Sequence, residues 1–181
     1  MVEIWCEKDA LSGVIMPVTD EYGVTFVALK GFGSVTIAYE SGQELRRDGK
    51  PVFIYYFGDH DPSGWAVSQA IEEELRQHLG DKLAFTRVGL DPGDIADHRL
   101  PTRPAKPSDK RNAAFMEAFG SGDCVELDAL PPDDLVGWVK GAIEYHIDPD
   151  SWARVQQAEI AQRASLSDFI ATFEELDEEE A

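Results

Sequence analysis

The stretch that decides the fold is PVFIYYFGDHDPSG, residues 51–64. Its first half, residues 51–57, is a continuous apolar and aromatic run, which predicts a strand covered on both faces. Its second half contains turn-forming residues, and the following segment WAVSQAIEEELRQHLG has apolar residues at helical spacing before a glycine stop. A buried strand that turns directly into a helix favours an α/β protein with a parallel sheet.

The same alternation of strand and helix extends in both directions from this stretch. On its N-terminal side, strands are predicted at residues 2–6 and 25–30, followed by the helices EKDALSGVIMP, closed by Pro17, and SVTIAYESGQELRR. On its C-terminal side we predict, in order, the strand LAFTRVGL, a long surface loop over residues 91–112, the helix KRNAAFMEAF, the strand CVELDAL and the helix DDLVGWVKGAIEYHI. We therefore predict an open parallel sheet with helices on both faces.

Length and composition agree with one compact domain and a short extension. The chain has 181 residues, of which 43% are hydrophobic and 28% are charged, close to average values for globular proteins. We divide it into a domain over residues 1–147 and a C-terminal helix with an acidic tail over residues 148–181. The two cysteines, Cys6 and Cys124, lack the spacing of a zinc site and are expected to be reduced core residues. No leader or membrane segment is visible, so we expect a cytoplasmic protein without a membrane partner.

The net charge of −19 argues against unassisted, tight binding to DNA, because such binding depends on Lys and Arg displacing counterions from phosphates. Two features reduce the weight of this argument. Many of the acidic residues are concentrated in the segment from Asp150 onward. Carboxylates that bind a metal ion are also part of the formal count, although their charge is neutralised by the ion.

Three acidic residues follow two of the predicted strands. Glu7 follows the first strand, and Asp59 and Asp61 follow the third. In an open parallel sheet, ligands bind at the carboxyl ends of the strands. Side chains alternate along extended backbone, so Asp59 and Asp61 are expected on one side and His60 on the other. Three converging carboxylates predict a site for a hard cation, Mg²⁺ or Mn²⁺.

An ordinary turn explains part of the same pattern. Asp, Pro, Ser and Gly are common turn residues, and acidic residues are favoured at helix N-termini. DHDPSG alone is therefore more often a turn than a site, and Ser63 is expected to cap the helix that follows. Glu7 at the end of a second strand is what favours the metal site over the simple turn.

The motifs WCEKDAL, LKGFGS and YYFGDHDPSG together resemble a Toprim domain, the module shared by topoisomerases, bacterial primases and several nucleases. The family pattern is a glutamate after the first strand, a glycine-containing turn after the second and DxD after the third. The DPSG continuation, with VGLDPGDI, LPTRPAKPSDKR and VELDAL, is most similar to the topoisomerase VI A subunit and related meiotic double-strand-break proteins. The resemblance covers residues 2–147 and implies a Toprim-like sheet.

The resemblance also implies roles for individual residues. Glu7 corresponds to the family glutamate, a metal ligand or general acid/base, and Asp59 and Asp61 to the metal-binding aspartates. The sequence departs from the type II topoisomerase pattern at Ser63, where a third acidic residue is common. Glu126 and Asp128 are candidates for a second metal, although a short strand with one polar face explains them equally well.

A further departure concerns the nucleophile. Topoisomerases hold DNA through a tyrosine on a separate winged-helix domain, and we expect no such domain here because the first Toprim-like strand is predicted at residues 2–6. Tyr55 and Tyr56 lie within a strand and are expected to be core or sheet-face residues. Metal-activated water is sufficient for a nuclease, so hydrolysis of phosphodiester bonds fits the sequence better than topoisomerase activity.

Basic residues are concentrated in one region of this acidic chain. The expected phosphate-binding residues are Arg99, Arg103, Lys106, Lys110 and Arg111 in the predicted loop, with Lys8 and Lys30 near the carboxylates. A solvated loop with scattered charge is the alternative. Aromatic residues are not interleaved there, so the sequence does not favour stacking on single-stranded bases.

The leading functional hypothesis is a Mg²⁺-dependent or Mn²⁺-dependent nuclease that processes nucleic acid, with DNA as the expected substrate. The alternative is a non-catalytic Toprim-like subunit that acts with a partner protein, such as a topoisomerase or primase component, through its C-terminal helix and tail. Primase-like nucleotidyl transfer would use the same metals but depends on additional domains, and ranks third.

Overall fold

In the computed structural model of the chain, residues 1–29 and 33–179 are described, apart from the side chains of residue 168 and residues 171–179. The main sheet is formed by four strands: β1 Val2–Cys6, β2 Thr25–Ala28, β3 Val52–Phe57 and β4 Leu83–Val88. Their order is β2-β1-β3-β4, and every neighbouring pair is parallel. The α/β class and the open parallel sheet predicted from the sequence are confirmed.

Helices connect these strands and continue beyond them. Their bounds are α1 Ser12–Tyr22, α2 Ser34–Asp48, α3 Pro62–Leu79, α4 Pro92–Asp97, α5 Asn112–Phe119, α6 Pro132–Glu144 and α7 Pro149–Glu179. Single 3-10 turns lie at Asp9–Leu11, Gly80–Lys82 and Leu127–Ala129. A two-stranded antiparallel ribbon consists of β5 Arg103–Pro104 and β6 Asp123–Cys124.

The sheet is covered on both faces. Consecutive β1 residues Ile4, Trp5 and Cys6 are all fully buried, and consecutive strand residues point to opposite faces. On one face the buried core contains residues from the sheet and from α2 and α3: Trp5, Leu29, Ala38, Leu45, Val52, Ile54, Tyr56, Ile71, Leu75, Leu79 and Leu83. Apolar burial of this extent is the main favourable contribution to folding, and it fixes the carboxyl ends of β1 and β3 side by side.

Helix α1 does not end where the sequence predicts. It continues through Pro17 to Tyr22 and ends at Gly23, which has a left-handed conformation with φ of 63°. A proline inside a helix removes one backbone hydrogen bond and crowds the preceding turn. Ile15 and Val18 are buried on either side of it, and this packing keeps the helix continuous.

The predicted loop over residues 91–112 contains more regular structure than expected. Asp91 and Asp94 form a capping box at the start of α4, with Pro92 at its first position. Further along, Arg103 in β5 pairs with Cys124 in β6. Local capping and a short cross-strand pairing thus order part of a segment whose proline and charge content predicts irregular backbone.

The predicted strand CVELDAL is also shorter than expected. Only Asp123–Cys124 forms β6, and Val125 makes an isolated antiparallel bridge to His60. The backbone then enters the 3-10 turn Leu127–Ala129. The bridge between Val125 and His60, in the turn after β3, therefore takes the place of the longer strand that the sequence predicts.

The chain divides into two compact units, residues 1–143 and residues 144–181. The predicted C-terminal helical extension is present as α7, which has 31 residues. Among the helices in the described part of the chain, none has the length and apolar content needed to cross a membrane.

Candidate functional site

Glu7 and Asp59 meet at the carboxyl edge of the sheet. The Glu7 backbone N–H donates to the Phe57 carbonyl oxygen at 2.9 Å, which extends the β1–β3 pairing past the end of β1. The Glu7 side chain turns toward β3, where Oε2 accepts hydrogen bonds from the Tyr56 hydroxyl at 3.2 Å and from the Asp59 backbone N–H at 3.3 Å. The two strand ends that the sequence singles out are therefore joined through the glutamate carboxylate.

Two glycines make room for this carboxylate. A Cβ atom at Gly58 would lie 2.7 Å from Glu7 Oε2, and one at Gly64 would lie 3.0 Å from the same oxygen. The Gly64 Cβ would also lie 2.6 Å from the Asp59 carbonyl oxygen, closer than real Cβ contacts allow. The glycines of the GDHDPSG motif are thus required for close approach.

The Asp59 side chain is held from the opposite direction. Its Oδ1 accepts a hydrogen bond of 2.7 Å from the Leu127 backbone N–H. Next to it, the backbone N–H and carbonyl of His60 exchange hydrogen bonds of 2.8 and 2.9 Å with Val125. The segment after β6 therefore fixes the turn that follows β3 through hydrogen bonds from Val125 and Leu127.

Asp61 is the N-cap residue of α3. Its Oδ1 accepts from the backbone N–H groups of Ser63 at 2.9 Å and Gly64 at 2.8 Å. The expectation that Ser63 caps this helix is wrong, because Asp61 has the extended backbone of an N-cap residue and its carboxylate is the stronger acceptor. The Ser63 hydroxyl instead accepts a hydrogen bond of 3.0 Å from Arg111 Nη1.

His60 lies away from these carboxylates in an aromatic cluster. It is 1% exposed, and its ring makes edge contacts with Phe115 and Phe119 at centroid distances of 4.9 and 4.6 Å. Burial, followed by the positive charge of Arg87, lowers the pKa of His60 to about 4. The imidazole is therefore neutral at physiological pH and packs as a core residue.

Burial and mutual repulsion perturb the carboxylates. Burial raises the pKa of Glu7, and the negative charge of Asp59 raises it further, while the Tyr56 hydrogen bond opposes the shift. Burial also raises the pKa of Asp59, against the hydrogen bond from Leu127 and the positive charge of Lys8. Both acids therefore hold their protons more tightly than ordinary carboxyl groups, which is typical of functional sites.

Glu126 and Asp128, the predicted ligands of a second metal, surround an ammonium group. Lys8 Nζ forms ion pairs with Asp128 and, at 3.3 Å, with Glu126. Arg103 pairs with the other oxygen of Glu126 at 2.9 Å. The structure thus brings Lys8 to these acids and within electrostatic range of Asp59.

Three of the predicted phosphate-binding residues share one cavity with Asp61. The cavity has a volume of about 330 Å³ and is lined by Arg103, Lys106 and Arg111 together with Ser63. Arg111 is oriented by a two-point ion pair with Asp109. Basic side chains and the acidic turn after β3 therefore face the same space.

The other predicted phosphate-binding residues are placed differently. Arg99 and Lys110 are exposed and do not line this cavity. Arg99 has a left-handed backbone conformation with φ of 52°. Lys30 lies outside the described residues.

Glu7 lines a second cavity, of about 360 Å³, on the α2–α3 side of the site. Its walls include Val67 and Ala70, and Ser63 and Arg111 border it as they border the basic cavity. Glu7 is thus part of the wall of a cavity of small-molecule size.

Sequence reasoning missed two residues at this site. The sequence predicts that Tyr56 is a core residue, which it is, but its hydroxyl also donates a hydrogen bond to Glu7. The sequence places Arg87 in a strand and indicates no further role, yet its Nη2 donates to the carbonyl oxygens of Gly58 at 3.2 Å and Asp59 at 2.6 Å. The available signal was that a tyrosine hydroxyl or an arginine in a buried strand requires a polar partner.

In this structure, the Glu7, Asp59 and Asp61 side chains do not form a complete metal coordination site. In the described part of the chain, no group of three or more His, Cys, Asp and Glu side chains is arranged to hold a metal ion. The Glu7, Asp59 and Asp61 hydrogen bonds described above each engage a single oxygen of the carboxylate. In comparisons with known proteins, no family model matches this chain and no curated protein gives a significant match.

Proposed function

We propose that this chain is a Toprim-type nuclease that binds Mg²⁺ or Mn²⁺ at Glu7, Asp59 and Asp61 and hydrolyses phosphodiester bonds, with DNA as the expected substrate. The observation that carries the proposal is the joining of two strand ends by Glu7 Oε2, which lies 3.3 Å from the Asp59 backbone nitrogen. The site is at the carboxyl edge of a parallel sheet, where such folds bind their ligands.

The chemistry of the acids supports a hard cation. Carboxylate oxygens are the ligands that Mg²⁺ and Mn²⁺ prefer. Burial and the charge of Asp59 raise the pKa of Glu7, so the site contains negative charge that the folded chain compensates incompletely. A bound cation would relieve this repulsion and draw the carboxylates together.

Each residue has a distinct part in the proposed reaction. Asp59 and Asp61 with Glu7 would hold the divalent ion, which when bound would supply stabilisation of negative charge on the phosphodiester oxygens. Glu7 would take a proton from the attacking water and return it to the departing oxygen, so that the proton count balances over the reaction. Tyr56 fixes the orientation of the Glu7 carboxylate through its hydrogen bond. Asp59 and Asp61 contribute ligand oxygens.

The basic cavity supports a phosphate ester as the substrate. Arg103, Lys106 and Arg111 line it beside Asp61. Positive side chains therefore lie next to the proposed metal ligands, and Arg103 and Arg111 also pair with Glu126 and Asp109. Arginine is well suited to phosphate because its guanidinium presents paired donors. A local basic surface of this kind lets an acidic protein bind nucleic acid without a favourable net charge.

The proposal is tested by metal binding and cleavage measured on the same preparations. We expect the wild-type protein to bind Mn²⁺ in calorimetric titration and to nick supercoiled plasmid in its presence. The Asp59→Asn variant keeps a carbonyl oxygen for Leu127 but loses the charge, so we expect at least a tenfold loss of both binding and cleavage.

The matched control is Asp81→Asn. Asp81 lies in the turn before β4, at the amino edge of the sheet, and its variant should retain both properties. Single-stranded DNA and RNA should be tested beside the plasmid, because hydrolysis of a phosphodiester bond at this site would be the same reaction in all three substrates. Absence of Mn²⁺ binding, or equal cleavage of every substrate by the wild type and Asp59→Asn, would contradict the proposal.

A second candidate function is that of a Toprim-like subunit that acts only with a partner protein. The observation that favours it is the exposure of large apolar residues along α7, where Val155, Ile160 and Leu166 are 54%, 69% and 60% exposed. Exposed apolar residues on a long helix are typical of protein-binding segments. Acidic residues in the same segment favour a basic partner.

This alternative is tested by substitution within the full chain. Replacing Ile160 and Leu166 with serine should abolish co-purification of a partner and any partner-dependent cleavage, and leave the melting temperature of residues 1–143 unchanged. A complex that survives both substitutions, or an isolated chain with full activity, would count against it.

A further inference from the structure

Arg87 connects the end of β4 to the turn after β3. It lies opposite Tyr56 in the parallel register, and its guanidinium reaches beyond the strand ends. Nη2 donates to the carbonyl oxygens of Gly58 at 3.2 Å and Asp59 at 2.6 Å, and Nη1 donates to the carbonyl oxygen of Gly89 at 3.3 Å. One side chain thus bonds two successive peptide groups next to the proposed metal ligands.

These bonds complete a three-point attachment of Asp59. The Asp59 carbonyl is held by Arg87, its N–H donates to Glu7 Oε2 at 3.3 Å, and its carboxylate accepts from Leu127 at 2.7 Å. With both backbone groups and one carboxylate oxygen fixed, the direction of the side chain is fixed as well. Loss of the Arg87 bonds would release the carbonyl and allow the turn to rotate.

The way Arg87 is buried indicates that the guanidinium shape matters. Its Nε–H is buried with no hydrogen-bond partner among the described residues, which is unfavourable. A lysine would carry the same charge, but its ammonium group lacks the planar fork that spans two adjacent carbonyls. The two carbonyl bonds offset the unfavourable burial of this N–H group, and they depend on the guanidinium fork.

We propose that Arg87 is a positioning residue of the metal site, which acts by holding the Gly58 and Asp59 carbonyls so that the Asp59 carboxylate faces the ion. This inference rests on the proposed function, since it assumes that Asp59 is a metal ligand. It adds a residue that touches neither metal nor substrate but sets the geometry of a group that does.

Charge and positioning predict opposite effects on metal affinity. The positive charge of Arg87 lies within range of Glu7, Asp59 and Asp61, so it repels a cation bound there. If Arg87 acted only as a charge, its replacement by a neutral residue would strengthen metal binding. If it positions Asp59, the same replacement weakens metal binding despite the loss of that repulsion.

The experiment compares Mn²⁺ affinity of the wild type, Arg87→Met and Arg87→Lys by calorimetry, with melting temperature measured in the absence of metal. We expect both variants to bind Mn²⁺ about 10-fold to 100-fold more weakly, the usual range for residues that orient metal ligands. Arg87→Lys keeps the charge and provides the comparison if Arg87→Met does not fold. The control Arg76→Met removes an exposed arginine paired with Glu72 on α3 and should bind as the wild type does.

The outcomes separate this inference from the proposed function. If the wild type binds no Mn²⁺, the proposed metal site is wrong and the inference fails with it. If the wild type binds and Arg87→Met binds more tightly, or Arg87→Lys binds within twofold of the wild type, only the positioning role of Arg87 is overturned. Weaker binding by both variants, with the control unchanged, supports it.

Discussion

The hydroxyl group of Tyr56 donates a hydrogen bond of 3.2 Å to Glu7 Oε2. The register of β1 and β3 makes this contact possible, because Trp5 lies opposite Tyr56 and Glu7 follows two residues later. A buried tyrosine needs a partner for its hydroxyl, and a glutamate at the strand end is within reach. The same bond favours the charged form of Glu7, so it links the packing of the sheet to the chemistry of its edge.

We predict that Tyr56→Phe shifts metal binding to higher pH. The Tyr56 bond lowers the pKa of Glu7 against the raising effect of burial, so its loss raises that pKa further. Metal binding requires the deprotonated carboxylate, so the pH at half-maximal Mn²⁺ binding should rise. Mn²⁺ titrations over a pH series measure this shift.

Tyr39→Phe is the control for this prediction. Tyr39 is 47% exposed on α2, and its ring contacts His78 rather than the site. The variant should leave the pH dependence of Mn²⁺ binding where it is in the wild type. An unshifted midpoint in Tyr56→Phe would show that the hydroxyl has no influence on Glu7.

The sequence was sufficient for the parts of the fold that depend on local patterns. The apolar run at residues 51–57 and the glycine and aspartate residues after it predict strand, turn and helix in that order, and β3 and α3 follow it closely. Placement of Glu7 near Asp59 needed only the rule that parallel strands end at one edge.

What could not be predicted depends on contacts between distant residues. Arg87 bonds the carbonyl of Asp59, 28 positions away, and Leu127 donates to its carboxylate from 68 positions away. These contacts follow from the strand order and from where the segment after β6 crosses the turn, and neither is encoded in local spacing. The Leu127 contact, together with the His60–Val125 bridge, explains why most of CVELDAL forms a bridge and a 3-10 turn instead of a strand.

We predict that the two thiols react slowly in the native protein. Burial raises the pKa of the Cys6 thiol to about 11, and it also raises the pKa of Cys124. Because the thiolate is the reactive form, a disulfide reagent at pH 8 should modify both residues at least tenfold more slowly than in urea. Rapid modification of native protein would show that one thiol is exposed. Cys6→Ser and Cys124→Ser, tested separately, identify which one reacts.

We predict that Gly64→Ala disrupts the site. The added Cβ would lie 2.6 Å from the Asp59 carbonyl oxygen and 3.0 Å from Glu7 Oε2, so Glu7 and the turn must move apart. Mn²⁺ affinity should fall at least tenfold, as measured by calorimetry.

Gly137→Ala is the matched helical control. A Cβ at Gly137 would have no atom within 4 Å, and alanine is favoured over glycine inside helices by roughly 0.5–1 kcal/mol. This variant should bind Mn²⁺ normally and unfold at the same or a higher urea concentration. Normal metal binding by Gly64→Ala would contradict the close packing of Glu7 against α3.

We predict that Asp59→Asn stabilises the metal-free protein and reduces its stabilisation by metal. Burial raises the pKa of Asp59 above its ordinary value of about 4. At pH values between the ordinary and the raised pKa, the native state therefore binds more protons than the unfolded chain. By linkage, the free energy of unfolding then falls as pH increases through that window.

The variant lacks this loss and should be more stable at neutral pH by roughly 0.5–1 kcal/mol, the scale of similar substitutions, reduced by solvent screening at this partly exposed site. Saturating Mn²⁺ should reverse the order, because a ligand at about 100 times the wild-type Kd stabilises the wild type by about 2.7 kcal/mol and a variant of tenfold weaker affinity by only about 1.4 kcal/mol. Urea unfolding at pH 5 and pH 7, with and without Mn²⁺, measures both effects. A variant that is less stable without metal would mean that the Leu127 hydrogen bond to the charged carboxylate outweighs its burial.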